Sequence, residues 1–144
     1  MKDAPVLSSA YINPNNKFIL SGEDDIDDQE LLEEIFISLD EKLRLIHIDN
    51  GKKIIEYLDH LSDEALPCLV ILDYNMPGLN GSEILKLLGT NNRYDHIPKI
   101  VWSTSGSAAY KTSCLELGAS DYLVKPSDIK SMKETVKYML SFCR

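Results

Sequence analysis

Short apolar runs and amphipathic stretches alternate along this chain. Phe18-Ile19-Leu20, Leu43 to Ile48, Leu69 to Leu72, Ile100-Val101-Trp102 and Tyr122-Leu123-Val124 are each bounded by polar or turn-forming residues, and predict five strands. Leu69 to Leu72 is apolar without interruption, as a central strand buried on both faces should be, whereas Leu43 to Ile48 alternates like an outer strand. Ser21-Gly22 lets the first strand end. Between the runs, apolar residues return at helical spacing. Leu31, Leu32, Ile35, Phe36 and Leu39 predict a helix from about Asp25 to Leu39. Ile54, Ile55, Leu58 and Leu61 predict a second, after Asn50-Gly51 and up to Ser62, and Ile84, Leu87 and Leu88 a third over Gly81 to Leu88. Ala108, Thr112 and Leu115 place a fourth before Gly118, and Ile129, Met132, Val136, Met139 and Leu140 stripe a fifth that Ser127-Asp128 opens. Strands alternating with helices imply right-handed crossovers, hence an α/β, doubly wound, five-stranded parallel sheet.

The polar residues that follow these strands are not interchangeable with ordinary turn residues. Glu23 and Asp24 follow the first, Asp73 the third, Ser103 the fourth and Lys125 the fifth. Taken alone, Asp73 reads as a turn former or helix cap, with Met76-Pro77-Gly78 turning the chain behind it. In a parallel sheet, however, the carboxyl ends of the strands share one rim, so the whole set converges. Crowded carboxylates repel unless a cation sits among them, and oxygen ligands suit Mg²⁺. Asp73 is then placed to attack phosphorus, with the Ser103 hydroxyl and Lys125 ammonium stabilising the remaining oxygens and an acyl phosphate as product.

Composition narrows the function classes. The 144 residues suit one domain, with 44% hydrophobic and 26% charged residues. Residues 1–16, with Pro5 and Asn-Pro-Asn-Asn, read as an irregular leader, and the domain as 17–144. No apolar run spans a bilayer and Met1 to Pro14 lacks the order of a signal peptide, so a cytoplasmic protein is expected. Cys68, Cys114 and Cys143 are an odd number without Cys-x-x-Cys spacing, which predicts reduced thiols. His47, His60 and His96 form no metal-ligand pattern. A net charge of -8 argues against direct binding to nucleic acid.

Taken in order, these motifs resemble the receiver domains of two-component response regulators over roughly Lys17 to Arg144. Glu23-Asp24-Asp25 is similar to the family's acidic metal-binding cluster, and Leu72-Asp73-Tyr74-Asn75-Met76-Pro77-Gly78 to its phosphoacceptor loop. Ser103 stands at the switch hydroxyl position, Tyr122 at that of the rotating aromatic, Gly118-Ala119 in the loop before the fifth strand, and Lys125-Pro126 at the signature pair. The resemblance implies a flavodoxin-like sheet of order 2-1-3-4-5. It implies Mg²⁺ held by the Asp24 and Asp73 carboxylates and the Asn75 backbone carbonyl, with Glu23 acting through water, and a cis Lys125-Pro126 bond. It further implies phosphorylation of Asp73 by a sensor histidine kinase or phosphotransfer protein docking near the first helix. Ser103 would then be pulled inward and Tyr122 would follow into the vacated space, while Asn75 and Ser105 would tune the phosphoryl lifetime.

The expected protein is a stand-alone regulator, not an enzyme in the usual sense, whose last helix ends at Arg144 and whose output passes to an unidentified downstream protein. The alternative is a degenerate receiver that scaffolds a partner without phosphorylation. A phosphatase with an aspartyl nucleophile fits less well, because Asn75 stands where a second carboxylate is wanted. A flavin site fails because Glu23-Asp24-Asp25 would repel a phosphate. Ser21-Gly22 in place of apolar residues and Ser103 in place of the commoner threonine depart from the family pattern. Tyr74 reads as loop packing or surface.

Overall fold

Every predicted strand and helix forms, in the predicted sequence, in the computed structural model, which describes residues 17–143. The strands are β1 (Phe18–Gly22), β2 (Arg44–Ile48), β3 (Leu69–Asp73), β4 (Lys99–Ser103) and β5 (Asp121–Val124). The helices are α1 (Ile26–Leu39), α2 (Gly51–Asp59), α3 (Gly81–Leu88), α4 (Ala108–Glu116) and α5 (Ile129–Leu140). All strand pairs are parallel, in the order β2-β1-β3-β4-β5. This is the doubly wound arrangement that the alternation of elements predicts, with the order reversing between β1 and β3. The proposed leader, residues 1–16, lies outside the described residues.

Because strand side chains point alternately to opposite faces, each buried strand supplies two layers. Leu20, Val70, Leu72 and Val101 pack with Ile54, Leu58, Ile84, Leu85, Leu88 and Cys114 under α2, α3 and α4. Ile19, Leu69, Ile71, Ile100 and Trp102 pack with Leu32, Phe36, Met132, Val136 and Met139 under α1 and α5. Register then brings the strand ends level: Gly22 lies beside Leu72, Asp73 beside Trp102 and Ser103 beside Val124. Local chemistry starts the helices that leave this rim. Asp25 accepts from the Asp28 N–H to cap α1, Asn50 from Lys52 N–H to cap α2, and Asp128 from Ser131 N–H to cap α5. Asn80 and Glu83 cap α3 reciprocally.

The structure departs from the sequence reading in several places. β1 continues through Ser21 and Gly22 instead of ending there. A side chain at residue 22 would meet Ile54 Cδ1 at 2.6 Å and Met76 Cε at 2.9 Å, so the glycine leaves room for these two to cover the strand end. The cost falls on Ser21, whose buried hydroxyl has no partner. α2 ends at Asp59, short of Ser62. The inner face of α3 is Ile84, Leu85 and Leu88, with Leu87 exposed, and α4 buries Cys114 where Leu115 was expected. Among the described residues every peptide bond is trans, that before Pro126 included.

The expectation of three reduced thiols is also corrected. Cys68 and Cys143 form a disulfide with their Cα atoms 4.9 Å apart, and Cys114 alone is free and buried. Cys68 leads into β3, and α5 runs across the same face of the sheet, returning Cys143 to the point where β3 starts. The partners are 75 residues apart, so no local spacing announces them.

Candidate functional site

The rim at the carboxyl ends of β1, β3 and β5 gathers the charged residues singled out in the sequence. Lys125, just past β5, donates through Nζ to Asp73 Oδ2 at 2.7 Å, to Asp28 Oδ2 at 2.8 Å and to Glu23 Oε1 at 3.1 Å. Its ammonium lies 4.8 Å from the centroid of the Trp102 ring, in the range of a cation–π contact. The Lys125 backbone is fixed by donation from its N–H to the Ser103 carbonyl at 2.7 Å.

Asp73 closes β3 and is almost fully buried. Its second oxygen, Oδ1, accepts from the Asn75 N–H at 2.9 Å, which folds the turn back over the carboxylate. Gly78 completes that turn with φ 88°, a conformation that favours glycine, and its missing side chain leaves room for Asn50. Glu23 is completely buried and accepts from Asp25 N–H at 3.1 Å, while Gln29 Nε2 holds its carbonyl at 2.6 Å.

Three carboxylates therefore surround one ammonium. Burial pushes the Glu23 carboxyl up to about 7, against the Asp25 N–H and Lys125, which favour its ionised form. Burial also pulls on Lys125 in the direction of neutrality, but the hydrogen bonds to Asp28 and Asp73 outweigh it and hold the ammonium well above its ordinary value. Glu23, Asp24 and Asp73 each present an oxygen within 4.8 Å of the others, with Asp24 exposed at the mouth. An all-oxygen donor set with surplus negative charge fits a hard divalent cation.

The two expected switch residues lie on the opposite face of the sheet end and both engage Ser105. The buried Ser103 Oγ accepts from Ser105 N–H at 3.1 Å, and Tyr122 donates its hydroxyl to Ser105 O at 2.8 Å. Ser103 makes no hydrogen bond to the acidic cluster. Tyr122 is buried in this structure. The Asn75 side chain is exposed; what that residue brings to Asp73 is its backbone.

Sequence reasoning missed three contributors. Asp28 is one α1 turn beyond the acidic cluster and looked like any acidic residue on an exposed helix face. Trp102 reads as core, with nothing in the sequence to say that a lysine lies over its ring. Tyr110 stacks on Tyr74 with centroids 4.3 Å apart and planes 12° from parallel, joining a loop to a helix more than thirty residues away.

The family comparison agrees with this geometry. Residues 19–137 match the family described as the response regulator receiver domain. The chain belongs to that family, and so to two-component signalling. Chemotaxis protein CheV2 of Helicobacter pylori is 32% identical over 127 residues, covering 88% of this chain and 40% of that protein. Two-component response regulator ARR3 of Arabidopsis thaliana is 26% identical over 140 residues, covering 92% of this chain and 60% of its own length. The chain thus spans roughly half the length of these relatives. Among solved structures, response regulator RPA3017 in red light signaling of R. palustris is 30% identical with a TM-score of 0.77, covering 88% of this chain and 92% of that one. The Mn²⁺-bound form of response regulator Rcp1 is 28% identical, also with a TM-score of 0.77, covering 88% and 93% respectively.

Proposed function

We propose that this receiver accepts a phosphoryl group on Asp73 in a Mg²⁺-dependent reaction and passes the change to a protein partner. The observation that carries the reading is the 2.7 Å contact between Lys125 Nζ and Asp73 Oδ2 inside the acidic cluster. A similar protein, the response regulator Rcp1, is known in a Mn²⁺-bound form, which supports the metal. Asp24 and Asp73 would hold the ion together with the Asn75 carbonyl, and Glu23 would act on it through water. Bound Mg²⁺ would neutralise charge on the phosphoryl oxygens and on the carboxylates.

The phosphoryl donor is a sensor histidine kinase or a phosphotransfer protein. An Asp73 oxygen attacks phosphorus of the donor's phosphohistidine; the O–P bond forms as the P–N bond breaks. The electron pair leaves on the imidazole nitrogen, which takes a proton from solvent. Lys125 exchanges part of its bonding with Asp73 for a phosphoryl oxygen, and the Ser103 hydroxyl donates its O–H to another. Ser103 moves toward the phosphoryl group and Tyr122 follows into the vacated space, which shifts populations of the face formed by α4, β5 and α5. Asn75 and Ser105, nearest the path of attacking water, set the phosphoryl lifetime.

We take residues 17–144 as the receiver unit and residues 1–16 as an irregular segment before it, working in the cytoplasm without nucleic acid. Among the described residues no helix is long and apolar enough to cross a membrane. The cytoplasmic thiol pool works against the Cys68–Cys143 bond. Incubation with acetyl phosphate tests the reading: the intact protein should gain one phosphoryl mass with Mg²⁺ and none with a chelator. A native chain that gains no mass with Mg²⁺ is the scaffold instead.

A further inference from the structure

We propose that the Tyr74–Tyr110 stack is the coupling through which occupancy of Asp73 sets the position of α4, making Tyr110 a positioning residue for output. The inference rests on Asp73 being the acceptor, as argued above. It starts from how little else holds α4. Of Ala108 to Glu116 only Cys114, in the second half of the helix, is buried, and the first half is exposed. Ser107 caps the helix through Tyr110 N–H at 3.2 Å, which starts the helix without tying it to the sheet. The contact that ties this half inward is the Tyr110 ring, lying flat on Tyr74.

Tyr74 follows the acceptor directly, and its backbone has little freedom to slide. Its N–H donates to Trp102 O at 3.0 Å and its carbonyl accepts from Gly81 N–H at 2.9 Å, pinning it between β4 and α3. Its ring also meets Tyr122 edge-on, with centroids 6.5 Å apart. Phosphorylation adds about -1.5 to -2 charges one residue away. It also changes the carboxylate whose Oδ1 holds Asn75 N–H and thereby shapes the turn. A turn re-formed under a pinned backbone expresses the change as a rotation of the Tyr74 ring. Tyr110 is stacked on that ring and must either follow or separate. The stack is thus a second route to α4, distinct from the Ser105 hydrogen bonds of Ser103 and Tyr122.

Hydrogen exchange on the full chain, with and without acetyl phosphate and Mg²⁺, tests the coupling. In the native protein, exchange over Ser107 to Thr112 should change on phosphorylation. Tyr110→Ala should raise basal exchange there about three- to tenfold, the value of one aromatic pair, and lose the phosphorylation-dependent change while keeping the full mass gain. Tyr110→Phe, which preserves the stack, should behave as native. If Tyr110→Ala gains mass and still shows the native response in α4, the coupling is wrong and the acceptor reading stands. If the native protein gains no mass, the acceptor reading fails and the coupling falls with it.

Discussion

Lys125 holds its ammonium over Trp102 while donating to Asp73, Asp28 and Glu23, so one side chain ties the fifth strand to the first and third. Trp102 is the chain's single tryptophan and is fully buried. A divalent ion drawn in by Glu23, Asp24 and Asp73 redistributes charge around that lysine. Saturating Mg²⁺ should therefore change Trp102 emission, and Asp24→Asn should weaken the response at least about tenfold in apparent affinity, as loss of a charged ligand implies. An emission unchanged by Mg²⁺ would count against the metal site. His47 offers an independent pH test. Burial holds its imidazole below the ordinary 6.5, against the pull of Glu33, and its Nδ1 has no partner to receive a proton's hydrogen bond. Above pH 6.5 the folded and unfolded forms are both neutral there. As pH falls below 6.5 the unfolded chain takes the proton first, so stability falls with pH until the folded value is passed. Urea melts of His47→Gln should show a flatter dependence over that window than the native chain.

At the scale of elements, apolar periods were legible because each acts over three or four positions. Asp25, Asn50, Asn80 and Asp128 cap the four helices that leave the site or lie beside it, and each sits at the helix start that the periodicity predicts. Where the reading of a buried helix face slipped, it exchanged one side chain for a near neighbour: Leu115 for Cys114, Leu87 for Leu85. A short helix on a sheet buries few residues, and one position of rotation decides which. The charged set Glu23, Asp24, Asp73 and Lys125 was legible because strand ends share a rim. Asp28, the Tyr110 stack and the disulfide were not, since each depends on packing between distant elements. The Cys68–Cys143 bond leads to a prediction about α5. The helix is also held by Met132, Val136 and Met139, so Cys143→Ser should still fold. It should lose roughly 2–4 kcal/mol of stability, the usual range for a bond closing a long loop, and calorimetry under oxidising conditions checks it. Equal melting of the two proteins would show that the bond carries no stability.

Seen as a whole molecule, the crossover topology is what turns a scattered set of residues into one site. β1 and β3 are neighbours with their carboxyl ends level, and the Lys125 amine, just past β5 at the far edge, reaches back over Trp102 on the intervening β4 to the acid of β3. A net charge of -8 repels polyanions and attracts basic surfaces at long range. The central claim is that this gathering makes Asp73 the group that becomes an acyl phosphate. Borohydride reduces an acyl phosphate to the alcohol, so trapping after acetyl phosphate and Mg²⁺ converts the modified aspartate to homoserine at its own position. Peptide mass spectrometry should find homoserine at residue 73 alone, and none in Asp73→Asn. Homoserine at another carboxylate, or its persistence in Asp73→Asn, would contradict the account.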